Sequence, residues 1–248
     1  MALIQVLFLF AVLPAVLLQE SFLPKTWTIC HKSDPNINIC MKTAITSAIK
    51  ELMKGDTKLE VPPIDPMLFR SITVDQGAGP VGITLKFTNL NIHGLSRVVI
   101  DNVRTDYSTG YRYDIDFHVT GKLRISGDYV SNGKVLVIPI RGEGKSNMTF
   151  DNFSGRITMR GQEVSKDGER FIQIYKTDII IETTRLYLSF RRPHQETIST
   201  ILNRFMNDNW QQILNDMKPA ISQSFGANIQ QVANKVFSKI PARVIAPP

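Results

Sequence analysis

The stretch Thr197–Phe237, TISTILNRFMNDNWQQILNDMKPAISQSFGANIQQVANKVF, decides the fold. Its apolar residues fall at Ile198, Ile201, Leu202, Phe205, Trp210, Ile213, Leu214, Met217, Ile221, Phe225, Ile229, Val232 and Val236. Steps of three and four lay one apolar stripe along one side of a helix. Pro219 stands inside the stretch, yet the stripe keeps its phase across it, so the reading is one helix kinked at Pro219 rather than two helices. At 1.5 Å per residue, about 40 residues span roughly 60 Å, more than the width of a small domain. The rest of the chain reads mostly as strands, which predicts a sheet wrapped along the helix around an elongated apolar interior.

Those strands begin at Phe69 and end at Phe190. Val81, Ile83, Leu85 and Phe87 alternate with polar neighbours, as do Tyr111, Tyr113, Ile115, Phe117 and Val119. Period two with one wet face marks half-buried antiparallel strands. Ser131-Asn132-Gly133 predicts a hairpin turn between Ile125–Val130 and Val135–Ile140, and Lys166-Asp167-Gly168 predicts a second turn. Upstream, Ile37–Lys54 has helical spacing and is followed by Gly55 as a stop. Val61-Pro62-Pro63-Ile64-Asp65-Pro66 then forms a rigid connector, neither helix nor central strand. No linker, repeat or low-complexity tract divides residues 21–248, which read as one domain.

Residues 1–18 are nearly all apolar, with no charged side chain before Glu20, and residues 1–20 are read together as one leader segment. The run is short for a membrane span and predicts a cleaved secretory signal and a secreted protein with no integral membrane segment. Cys30 and Cys40, the two cysteines of the chain, then have one pairing available. The loop they close is worth about 2–3 kcal/mol in the chain-entropy model. The net charge of +7 comes from scattered Lys and Arg without interleaved aromatics, which argues against nucleic acid and for a solvated basic surface.

Motifs for chemistry fail on context. Gly77-Ala78-Gly79-Pro80-Val81-Gly82 spells G-x-G-x-x-G, but a strand pattern follows it where dinucleotide binding needs a helix. Gly144-Lys145-Ser146 lacks the first glycine of a P-loop. His31, His93, His118 and His194 are far apart, and Asp114 and Asp116 share the polar face of one strand. No cofactor or metal set emerges. Two sequons stand close together, Asn147-Met148-Thr149 and Asn152-Phe153-Ser154. A bulge or turn near Asp151 would leave both asparagines outward; because Asn147 sits on the outward parity of a strand edge, whereas Asn152 lies at that parity switch, Asn147 is expected to carry glycan more often.

What remains is an excess of apolar inward face, which can fill a core or line a cavity. By face parity the candidate lining comprises Ile83, Leu85 and Phe87 on one strand and Tyr113, Ile115, Phe117 and Val119 on another, together forming one wall. Ile201, Phe205, Ile213 and Met217 on the long helix face them.

The chain also resembles the insect takeout and juvenile-hormone-binding protein family over nearly its whole length beyond the apolar run. The resemblance rests on that run and the Cys30 and Cys40 pair. It also rests on Pro62-Pro63-Ile64-Asp65-Pro66, the Gly142-Glu143-Gly144 to Asn147-Met148-Thr149 region, and the run from Leu202 through Trp210 and Pro219 to Pro241. It implies an α+β fold of the tubular lipid-binding, super-roll type, a strongly curved antiparallel sheet around one long C-terminal helix. It further implies an internal tunnel and a carrier role for a hydrophobic small molecule: a juvenile hormone-like terpenoid, a fatty acid or another long-chain lipid. Hormone binders proper usually carry a second disulfide; with no cysteine after Cys40, this chain is more similar to the takeout branch. The leading expectation is therefore a secreted, monomeric, non-enzymatic carrier. The alternative is a secreted interaction protein whose tunnel is filled and whose basic surface binds a protein or anionic lipid.

Overall fold

The computed structural model describes residues 23–24, 26–77, 80–136 and 138–248. The apolar run read as a secretory signal lies outside the described residues. Helix α1 spans Ile37–Leu52, and the Cys30–Cys40 disulfide ties its first turn to the preceding segment. The strands follow: β1 Met67–Gln76, β2 Val81–His93, β3 Val98–Asp106, β4 Tyr111–Val119 and β5 Lys122–Val135. Then come β6 Ile138–Asp151, β7 Ser154–Lys166, β8 Glu169–Glu182 and β9 Arg185–Arg191. Helices α2 Glu196–Asp208, α3 Trp210–Phe237 and α4 Ala242–Ile245 close the chain.

The strands pair antiparallel throughout, but in two sheets rather than one, ordered β1-β2-β5-β6-β9 and β3-β4-β7-β8. The chain crosses between the sheets after β2, β4, β6 and β8, and the crossings are stitched together. Arg97 donates to the carbonyls of Thr120 (2.8 Å) and Lys122 (2.7 Å). The Asp65 carboxylate accepts the N–H groups of Gly94 (3.1 Å) and Ser96 (2.8 Å). Val119 N–H donates to Phe153 O at 2.8 Å. At this seam the long β runs bend from one sheet into the other, and the inward faces of both sheets meet in one apolar core with α2 and α3. A smaller cluster, Leu52, Leu59, Val61 and Ile240, joins the end of α1 to the chain's last turns.

The C-terminal helix departs from expectation in one respect. It continues through Pro219 but breaks at Asn209, whose φ of −113° and ψ of 16° are not helical. The Asn209 side-chain amide donates to Phe205 O at 2.8 Å, and its own N–H goes to the same carbonyl. Asn207-Asp208-Asn209 is a run of residues whose side chains compete for backbone groups, and that competition ends the helix where a proline did not. Past the break, α3 approaches β8 so closely that a Cβ on Gly226 would lie 2.4 Å from Thr177 O.

The two sheets do not close into a barrel, and each leaves edges that need partners. Asparagines on the helices supply them. Asn203 accepts from Phe190 N–H (2.8 Å) and donates to Phe190 O (3.0 Å); Asn207 does the same for Leu188 at 2.9 and 2.7 Å. Four helical residues rise about 6 Å and two strand residues about 6.8 Å, so an i, i+4 asparagine pair matches alternate residues of edge strand β9. Asn234 repeats the device on Ile174 of β8 at 2.8 and 2.9 Å, and Asn38 of α1 accepts from Thr105 N–H of β3 at 2.9 Å. Ser224 Oγ donates to Thr73 O of β1 at 2.6 Å.

The Lys166-Asp167-Gly168 turn forms as expected, with Asp167 and Gly168 at φ 52° and 81°. The Ser131-Asn132-Gly133 turn does not: β5 runs through it to Val135, which pairs with Ile138. Gly133 serves a different purpose there, because a Cβ would lie 2.3 Å from Gly82 O on the neighbouring strand. Extending the strand also buries Val135 in the core. No helix of the described residues is long and apolar enough to cross a membrane.

Candidate functional site

Between the five-stranded sheet and the α2–α3 elbow lies an apolar void of about 20 Å³. By volume it holds about one water molecule. Ile83 and Leu85 of β2, Tyr129, Ser131 and Val135 of β5, Ile140 of β6 and Phe190 of β9 form its sheet side, with the Ser131 hydroxyl donating to Gly142 O at 3.0 Å; Leu202, Met206 and Met217 form its helix side. Two methionines give this wall unbranched, adaptable side chains. The Tyr129 hydroxyl is buried without a hydrogen-bond partner among the described residues. Its ring packs edge-on against Phe190, with centroids 4.9 Å apart. A buried donor left unpaired costs about 1–3 kcal/mol.

Of the residues predicted by face parity, Ile83, Leu85 and Met217 come together on this void. Phe87, Tyr113, Ile115, Phe117, Val119 and Ile213 are buried in the core but do not line it. The single wall drawn through β2 and β4 is corrected, since those strands belong to different sheets. Phe205 is only partly buried against the core. Ile201 is a clear correction: it is 64% exposed. The break at Asn209 resets the phase, so Ser199, Leu202 and Met206 are the buried residues of α2. Parity could not single out Tyr129 or the asparagine pair, because both matter only once the elbow and the sheet edge exist.

At another point in the core, Tyr113 stacks on Phe237 at 6.4 Å and meets Tyr107 edge-on at 6.0 Å. Burial, then the neighbouring Tyr107, pushes the Tyr113 hydroxyl well above its ordinary pKa. Tyr111 donates to Glu163 at 2.6 Å and accepts from Lys32 at 2.8 Å, and burial together with that carboxylate raises its pKa. These phenols stay neutral donors at physiological pH. The Asp114 and Asp116 pair is held in ion pairs: Asp116 with Arg156, Asp114 with Arg112 at 3.0 Å. Hydrogen bonding by Arg156 is the main cause of the lowered Asp116 pKa. Neither carboxylate is set up as an acid.

A sequence model of the haemolymph juvenile hormone binding protein family matches residues 5–247. The chain belongs to that family. Among its relatives, a putative beta-carotene-binding protein of Schistocerca gregaria is 21% identical over 225 residues, covering 88% of this chain and 86% of the relative. The circadian clock-controlled protein daywake of Drosophila yakuba is 17% identical over 210 residues, covering 82% and 81%. The solved structure of Epiphyas postvittana Takeout 1 superposes with a TM-score of 0.74 at 20% identity, covering 89% of this chain and all of that one. In this juvenile hormone binding protein family member, that likeness shows the shared α+β fold, two antiparallel sheets with a long C-terminal helix.

Proposed function

We propose that this protein is a secreted carrier of a long-chain hydrophobic molecule that bears an acceptor oxygen at one end, such as a terpenoid ester, a fatty acid or a related lipid. The observation that carries the reading is the apolar void at the α2–α3 elbow, whose lining residues include Ser131 and Tyr129, the latter with its buried hydroxyl unpartnered among the described residues. At about 20 Å³ the void is far smaller than such a ligand, so binding must open it. The ligand enters by displacing Met206 and Met217 and by tilting α2 about Asn209, and it is held by apolar burial at about 25 cal/mol per Å² before ordering costs. Tyr129 donates to its oxygen and sets its direction. Family membership supports the carrier role, and the locust relative's name supports a long apolar ligand.

The test is organic extraction of protein purified from insect-cell medium, followed by mass spectrometry and displacement of a fluorescent fatty probe. The expected result is a co-purifying lipid and probe binding that weakens about tenfold, or 1.4 kcal/mol, in Tyr129→Phe. No extracted lipid together with no probe binding refutes the carrier reading. The small volume of the void favours the second reading in that case, an interaction protein with a filled interior.

A further inference from the structure

The outer face of the five-stranded sheet carries an open polar cleft of about 570 Å³ with Asn147 among its lining residues. The strand register explains the cleft. Asn91 of β2 pairs with Ser126 of β5, Ser126 with Asn147 of β6, and Asn147 with Ser189 of β9. These four short polar residues form one row across four strands, roughly 14 Å at the usual strand spacing of about 4.8 Å. The next row on one side is long and charged: Asp128 pairs with Lys145, and Lys145 with Arg191. The row on the other side carries Arg124 and Tyr187, flanking Thr149, and both are exposed. The result is a trough with a floor of hydroxyls and amides, lined by the charged row on one side, with Arg124 and Tyr187 beyond its lining on the other.

Asn147 sits in the middle of that floor and begins the sequon Asn147-Met148-Thr149. The second sequon offers no such bed. Asn152 stands at a turn with φ 51°, and its side-chain amide donates to Thr184 Oγ1 at 3.0 Å.

We infer that Asn147 is N-glycosylated during export and that the trough seats the first sugars of its glycan across β5, β6 and β9. The transfer uses a polyprenyl-diphosphate oligosaccharide: a bond forms between the Asn147 side-chain nitrogen and the anomeric carbon. The bond from that carbon to the diphosphate breaks, and the proton lost by the amide leaves with the polyprenyl diphosphate. Because Asn147 and Thr149 are paired in the interior of β6, modification precedes strand pairing, and the finished sheet then gathers the sugars. Ser126 and Ser189 offer hydroxyls, and Arg191 offers donors, to the sugar hydroxyls and the N-acetyl carbonyl. Seated there, the glycan braces edge strand β9, whose inner face contributes Phe190 to the void.

The inference rests on export and is independent of the lipid cargo. The protein is secreted from insect cells, its glycopeptides are mapped, and its native-state cleavage by an endoglycosidase is timed at each occupied site. The expected result is occupancy at Asn147 and cleavage there about tenfold slower than in Ser189→Tyr, which fills the floor but keeps the sequon. Arg191→Ala, which lowers a wall, gives the same direction if Ser189→Tyr does not fold. Thr149→Ala, which removes the sequon, should speed amide hydrogen exchange in β9. An unoccupied Asn147 in secreted protein, or native cleavage at Asn147 as fast in wild type as in both variants, overturns the inference. Failure of the chain to reach the medium overturns the export reading as well.

Discussion

The closure of edge strand β9 by Asn203 and Asn207 makes a quantitative prediction. Asn207→Ala removes one acceptor and one donor from Leu188, leaving its N–H and carbonyl facing the helix. The site is half-buried, so each orphaned group costs about 1–1.5 kcal/mol, between the net value of a hydrogen bond and the full penalty of a dry unpaired one. The expected loss is about 2–3 kcal/mol. For a domain of this size 1 kcal/mol moves Tm by about 2–4 °C, which gives a drop of about 5–10 °C. Asn207→Asp should be at least as damaging near neutral pH, since it sets a carboxylate against Leu188 O. Its folded-state pKa is then raised, so the penalty is full at neutral pH and shrinks as the carboxyl protonates on acidification. Thermal melting by circular dichroism, with hydrogen exchange read at the Leu188 and Phe190 amides, measures both effects. If Asn203→Ala and Asn207→Ala each shift Tm by less than about 1 °C and leave those amides protected, the edge is held by the packing of Leu202 and Met206, and the reasoning fails.

Three further outcomes are expected. Phe117→Trp should cost about 1–3 kcal/mol by melting, because Phe117 is buried against Phe153 and a Cβ on Gly155 would lie 3.1 Å from its ring; unchanged stability would mean free space beside it. Ile201→Asp should change stability by no more than about 0.5 kcal/mol, whereas Ile213→Asp, at a buried site, should cost more than about 4 kcal/mol in the same melts; equal effects would reverse the placement of the two faces. The Asp116 pKa lies below its ordinary 3.8, chiefly through Arg156. Its contribution is therefore present above about pH 4 and is lost as pH falls through the folded value. Asp116→Asn should flatten the acid limb of the stability curve below about pH 4, and an unchanged limb would show that the pair adds nothing.

Several elements were legible in the chain alone. Alternation in Tyr111–Val119 named the inward face of β4, and Lys166-Asp167-Gly168 named the turn between β7 and β8, because period-two polarity and positive φ are local properties. The isolated Cys30 and Cys40 pair left one partner for each thiol. Parity also placed Asn147 and Asn152 outward, with Phe150 and Phe153 inward across the turn at Asn152. Tertiary structure decided the rest. Periodicity says which face of a strand is apolar but not which sheet the strand joins, so β2 and β4 were drawn as one wall. The helical stripe said nothing of the turn at Asn209, where side-chain amides outcompeted the helix and left Ile201 in solvent. Asn203, Asn207 and Asn234 read as ordinary polar helix positions until sheet edges with unpaired N–H and C=O groups stood beside them. Tyr129 reads as one more inward aromatic until the core leaves its hydroxyl without a partner. A side chain's polarity belongs to the sequence, but its hydrogen-bond partner is a property of the folded neighbourhood, and the candidate site is built from such partnerships, made and missing.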